Sequence, residues 1–161
     1  LSFLFLLFIF SDPEPLHHGV GPSLGNPALR TRNMDCIVKN IKALYEEELC
    51  QLVVVLPDCG RLGREPDSKE GLQEMHLLLL LLLGCAVQCP NKQTFIEQIK
   101  LLPIDAQHSL VHCIKQVTES QEIVLTQETG EGLSSELLIS HIRRLIKQRD
   151  NYLQVIVRIK A

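Results

Sequence analysis

The chain has 161 residues, enough for one domain of ordinary size and an appendage. Its 16 Lys and Arg stand against 19 Asp and Glu, so no global field draws it to nucleic acid or to anionic lipid. With no Trp and only two Tyr it lacks the usual stacking platforms for sugars and single-stranded bases, and leucine has to carry the core.

The opening LSFLFLLFIF is too short to span a bilayer and lacks an initiating Met, a basic n-region and a small-residue cleavage site. It reads either as a signal-peptide remnant or as the mark of an incomplete chain or faulty gene model, and it stands outside the fold argument. From Ser11 to Asn26 the sequence is rich in Pro and Gly, so residues 1–26 form an apolar segment and an extended connector. Asn26 then caps a helix with Pro27 at its first position. Leu29, Met34, Ile37, Val38, Ile41, Leu44, Tyr45, Leu49, Leu52 and Val53 recur near a period of 3.6, which predicts a helix to about Leu56. Pro57 ends it, and PDCGRLGREP is expected to be a loop.

Asp67 or Ser68 caps the next helix, which carries MHLLLLLLLGCAVQC and stops before Pro90. Seven consecutive leucines cover the whole circumference of two helical turns, so this segment cannot lie on a surface. Each exposed leucine side chain costs roughly 2 kcal/mol, and something must cover them. The apolar stretch from Met75 to Val87 is short of the length that spans a bilayer, which makes it a core helix and not a membrane span.

Asn91 caps a short third helix with Phe95, Ile96, Ile99 and Leu102 on one face, closed by Pro103. A fourth begins near Asp105 and is expected to turn Leu110, Val111, Ile114 and Val117 inward. The stretch TESQEIVLTQETGEG reads as a loop or frayed turn. Ser134 or Ser135 starts the last helix, where Leu138, Ile142, Leu145, Tyr152, Ile156 and Ile159 follow a four-three rhythm broken only by Arg149. This is either the seam of a coiled coil or an ordinary amphipathic helix. The domains expected are therefore a helical domain over 27–126 and the start of a coiled-coil helix over 134–161.

Chemistry is thin. The six cysteines include no C-x-x-C pair and read as reduced, mostly buried thiols of a cytosolic protein, with Cys85 and Cys89 as small packing residues. In HSLVHC, His108 and His112 share a helical face, but no third ligand stands near, so no metal is expected; His108 reads as exposed and His112 as partly buried. GVGPSLG has a proline where a phosphate cradle needs free N–H groups, so no nucleotide and no other cofactor is indicated. Glu46, Glu47 and Glu48 form a solvated face. The basic groups Arg30, Arg32, Lys39 and Lys42, and Arg143, Arg144, Lys147 and Arg149, are either solvated faces or a match for an acidic surface such as a cytoskeletal filament. The chain is not expected to be an enzyme.

The stretch LLLLLLGCAVQCPNKQTFIEQIKLLPIDAQHSLVHCIKQVTESQEIVL resembles the Hook domain of cytoplasmic cargo adaptors, most closely in the Girdin and Daple family. In that family a leucine run leads into GCAVQC, a short polar turn and an F-I-E-x-I helix. The likeness extends upstream through LRTRNMDCIVKNIKALYEEELCQLVVVLPDCGRLGREP and downstream into HIRRLIKQRD. It implies an all-α fold: the C-terminal part of a calponin-homology-like helical Hook domain, truncated at its N-terminus and running into the start of a coiled coil. It further implies a non-enzymatic adaptor that binds an amphipathic helix of dynein light intermediate chain in an apolar groove and links cargo to microtubule-based transport. Microtubules would be a second partner, the full protein would be a homodimer through its coiled coil, and the setting would be cytoplasmic and cytoskeleton- or centrosome-associated. The alternative is a structural, dimerising module that binds microtubules or no external ligand.

On that reading Leu79, Leu80, Leu83 and Val87 line the groove on the leucine helix. Gly84 admits the partner's backbone, and Phe95, Ile96 and Ile99 form the opposite wall.

Overall fold

The computed structural model describes residue 23 and residues 25–126 and 135–160. The expectations for the opening apolar segment, for most of the connector and for the end of the TESQEIVLTQETGEG stretch lie outside them. The described residues fall into two compact units, one ending at Thr126 and the other starting at Ser135.

Helix α1 spans Pro27–Ala43. The Asn26 side chain accepts hydrogen bonds from the backbone N–H groups of Ala28 and Leu29 at 3.1 and 3.2 Å, satisfying two donors that the first turn leaves free. Met34, Val38 and Ile41 are buried on its inner face. The helix then widens into one π-helical turn, Leu44–Glu48, in which the Leu49 N–H reaches back five residues to the Leu44 carbonyl at 3.1 Å. Cys50 takes up left-handed backbone at φ +52° and turns the chain into a strand, β1, Gln51–Val53.

The helix expected to reach Leu56 therefore stops at Glu48. The apolar period does continue through Leu52 and Val53, but the run Val53–Val55 is β-branched and suits a strand. A partner strand is supplied from far along the chain: β2, Val124–Thr126, pairs antiparallel with β1, setting Gln51 opposite Thr126 and Val53 opposite Val124. That replaces part of the expected loop after Thr118, with Ile123 and Val124 buried.

The segment after Pro57, expected to be a loop, contains a short helix, α2, Cys59–Arg64. Asp58 caps it by accepting from the Arg61 N–H at 2.9 Å. It lies close on α1: Arg30 Nε donates to the Gly63 carbonyl at 2.9 Å, and a Cβ at Gly63 would run into the backbone of Thr31. Leu62 is sealed in the core.

Helix α3 spans Lys69–Gln88, and of the two caps considered it is Ser68 that accepts from the Gly71 N–H, at 2.9 Å. By length and composition it passes as a membrane-crossing helix. Within this fold it is the central element, since Leu78, Leu81, Leu82 and Cys85 are buried among Ile41, Tyr45, Leu62 and Val117. Helices α4, Lys92–Lys100, and α5, Ile104–Thr118, follow and pack mainly on α3. Asn91 stands at the cap position of α4 but makes no side-chain capping bond. Of the α5 residues expected inward, Val117 is buried and Leu110 and Ile114 are partly so. Val111 is instead 48% exposed, because it lies a quarter-turn away from the row that meets α3.

In the second unit, α6 runs from Ser135 to Lys160. Six α-helices, the π-helical turn and one two-stranded antiparallel ladder make up the regular structure of the described residues, an all-α fold as expected with that short ladder added.

Candidate partner-binding surface

The two faces of α3 have different fates. Its inner face meets Tyr45, which the π-helical turn carries into the core with no exposed surface. The Tyr45 hydroxyl donates to the Leu81 carbonyl at 3.0 Å. Gly84 stands one turn further on, where a Cβ would meet that hydroxyl and crowd the methyls of Val117 on α5. Burial pushes the Cys85 thiol up to about 12, with the neighbouring Cys89 adding to it, and raises the Tyr45 phenol well above its ordinary value. This wall of the helix is a neutral, close-packed interior.

The outer face is different. Leu72, His76 and Leu79 are exposed, and Leu83 and Val87 are half-covered. At 100° per residue these five fall within about a quarter of the helix circumference, a continuous apolar strip interrupted by one histidine. Phe95, Ile96 and Ile99 on α4 are each half-covered, and α4 buries no residue fully. Beyond them Leu101, Leu102 and Ile104 are exposed at the α4–α5 turn, which Gln107 holds by donating to the carbonyls of Lys100 and Leu102 at 3.1 and 2.8 Å.

Of the eight residues expected to line a groove, six are therefore open or half-open: Leu79, Leu83, Val87, Phe95, Ile96 and Ile99. Leu80, 3% exposed, and Gly84 face the chain's own core. The close approach that Gly84 permits is made from inside, by Tyr45. Leu72 and the Leu101–Ile104 turn were missed from sequence, although Leu72 lies seven residues before Leu79 and so shares its face.

The far end of α3 is tied to β1. Gln88 Nε2 donates to the Gly84 carbonyl at 3.0 Å, while its Oε1 accepts from Gln51 Nε2 at 2.7 Å. The strip thus rests on a helix clamped at its middle by Tyr45 and near its end by Gln51.

All six thiols are free, but they are less uniformly buried than expected. Cys85 and Cys89 are buried, Cys36, Cys59 and Cys113 are intermediate, and Cys50 is exposed on its left-handed turn. Burial, with the carboxylates of Asp35 and Asp58 nearby, raises the Cys59 thiol to about 11. His108 is exposed as expected. His112, expected to be partly buried, is exposed too, since it lies on the solvent side of α5. Among the described residues no group of His, Cys, Asp and Glu has a metal-holding arrangement.

The seam positions of α6, Leu138, Ile142, Leu145, Tyr152, Ile156 and Ile159, are all exposed. A further row, Ile139, Ile146 and Leu153, lies beside them and is equally open.

The HOOK domain profile matches residues 22–118. The chain is 40% identical over 167 residues to Protein Daple of Homo sapiens, an alignment that takes in 96% of this chain and 8% of that protein. It is 39% identical to Girdin of Mus musculus, over 96% of this chain and 9% of that one. It therefore spans less than a tenth of the length of these relatives. Among solved structures, the solution structure of the conserved domain of HOOK1 protein from mouse superposes with a TM-score of 0.58 at 26% identity, covering 72% of this chain and 70% of that one.

Proposed function

This chain belongs to the HOOK domain family, and from that membership we propose that it is a cytoskeleton-linked adaptor module that binds and does not catalyse. Its ligand is an amphipathic helix, that of dynein light intermediate chain, seated on the apolar strip of α3 and walled by α4. Through it the full protein would link cargo to microtubule-based transport in the cytoplasm.

The observation that carries this reading is the division of α3. One face is sealed by Tyr45, Leu62 and Val117, while on the other Leu79 is exposed and Leu83 and Val87 are half-covered, as are Phe95 and Ile99 on the neighbouring α4. A helix buried on one side only, with a second partly uncovered helix next to it, offers the spaced apolar contacts that a visiting amphipathic helix reads. Exposing leucines to water at roughly 2 kcal/mol each is a cost that a partner would recover.

Calorimetric titration of the chain with the C-terminal helical peptide of dynein light intermediate chain tests it. We expect binding to the parent chain and its loss in Leu79→Asp, a substitution on the open side of α3 that leaves the urea midpoint in place. Binding that survives Leu79→Asp in a chain of unchanged stability would remove the groove from consideration. A parent chain that gives no heat with the peptide but sediments as a dimer would favour the structural, dimerising alternative.

A further inference from the structure

Among the described residues, Ser120 is the one exposed serine, threonine or tyrosine that lies outside a helix or strand. Thr94, Ser109, Ser135, Ser140 and Tyr152 are exposed too, but each stands within a helix, where the chain is not free to extend into the cleft of a modifying enzyme. Thr118, two residues earlier, is half-covered, and its Oγ1 donates to the Ile114 carbonyl at 2.8 Å.

Ser120 sits in a short connector between two buried anchors. Val117 lies in the last turn of α5, and Ile123 and Val124 lie just before and at the start of β2. Between them the Glu119 N–H donates to the Lys115 carbonyl at 2.9 Å, and the Ser120 hydroxyl donates to the Gln116 carbonyl at 2.6 Å. Gln121 then takes up left-handed backbone at φ +55°. A carbonyl that the end of α5 leaves over is thus satisfied by a side chain that solvent can reach.

The charge around this connector makes it sensitive to more of the same sign. It follows the C-terminal, partially negative end of a helix of 15 residues. Glu119 and Glu122 flank the serine, both exposed, and no Lys or Arg occurs from Gln116 to Thr126. None occurs from Leu49 to Leu56 either, the stretch that holds β1. Lys115 is the nearest basic residue in sequence, and it lies one helical turn before Glu119.

From this arrangement we infer that Ser120 is a phosphorylation site for a protein kinase that reads glutamine after the serine and acid beyond it, and that the phosphate opens the connector between α5 and β2. The order Ser120, Gln121, Glu122, with Glu119 in front, presents an amide and two carboxylates to a basic cleft. Oγ of Ser120 attacks the γ-phosphorus of the kinase-bound nucleoside triphosphate, its proton passes to the kinase's base, and the diphosphate leaves. The esterified oxygen no longer donates, so the Gln116 carbonyl loses its partner. About two negative charges arrive between Glu119 and Glu122 at the unfavourable end of a helix dipole, with no arginine beside them in sequence to pair with. Repulsion then works against a ladder of only three residue pairs, and β2 is released from β1. Because Gln51 of β1 holds Gln88, the release reaches the end of α3.

Incubation of the full 161-residue chain with activated DNA-dependent protein kinase and magnesium ATP, followed by peptide mass mapping, tests the site. We expect one phosphate, on Ser120, and none in Ser120→Ala, whose circular dichroism should match the parent. Hydrogen exchange tests the consequence. The amides of Val54 and of Val124–Thr126 are expected to exchange about tenfold or more faster after phosphorylation, while those of Leu78–Leu82 stay protected. A chain that takes up no phosphate on Ser120 overturns the site, as does incorporation that persists in Ser120→Ala. A phosphorylated chain whose ladder amides exchange at the parent rate overturns the opening.

Discussion

The hydroxyl of Tyr45 donates a 3.0 Å hydrogen bond to the main-chain carbonyl of Leu81, across a core in which neither group meets water. Two distant segments are fixed by it: the π-helical turn that ends α1 and the middle of the leucine helix. Because Gly84 makes room for the hydroxyl, the three residues form one unit.

Tyr45→Phe keeps the ring and removes the bond, and is expected to cost about 1 kcal/mol in urea unfolding. Gly84→Ala should cost roughly 1–3 kcal/mol by overpacking, even though alanine favours a helix by about 1 kcal/mol over glycine. Combining the two removes the atom that the new methyl would strike. The double variant is expected to be more stable than the sum of the single changes predicts, which a double-mutant cycle reads directly.

Gly60 and Gly63 lie on the same short helix and should respond in opposite directions. A Cβ at Gly63 meets the backbone of Thr31, which cannot yield, so Gly63→Ala is expected to lose roughly 1–3 kcal/mol. At Gly60 it meets the mobile end of Arg64 at 3.0 Å and the Asp58 side chain at 3.1 Å. Gly60→Ala should therefore be neutral or gain up to about 1 kcal/mol from helix propensity, as thermal unfolding of the pair would show.

Alkaline pH should weaken the fold. Cys85 ionises near its ordinary value of 9.0 when unfolded but only at about 12 when folded, since burial disfavours the thiolate. Its contribution is fully present below pH 9 and is lost as pH rises toward 12, and the raised Tyr45 phenol acts in the same sense above 10. Urea midpoints measured across that window should fall, and fall less steeply in Cys85→Ala than in the parent chain.

Thiol labelling under native conditions should follow exposure and not sequence order. Cys50 is expected to react first, while Cys85 and Cys89 react only through unfolding, at a rate that rises with urea. Mass mapping of partially labelled chains gives the order.

Local sequence determined the helices of this protein and where most of them begin and end. Asn26 and Ser68 bind the first free N–H groups of their helices, and Pro90 and Pro103 cannot continue one, so these boundaries follow from chemistry within a few residues. The likeness to Hook domains was legible for a similar reason, because GCAVQC and the F-I-E helix are contiguous. Only the tertiary structure decided what depends on distant partners. Leu49, Leu52 and Val53 keep a helical period, yet residues 51–53 form a strand, because Val124–Thr126 lies alongside them. On a helix that is leucine all round, sequence cannot say which side faces inward. That was set by Tyr45 and Val117 arriving from elsewhere, and they turned Leu80 and Gly84 into core while leaving Leu79 and Leu83 toward solvent. Periodicity records how side chains are arranged around one helix axis, whereas burial depends on what else the fold brings against it.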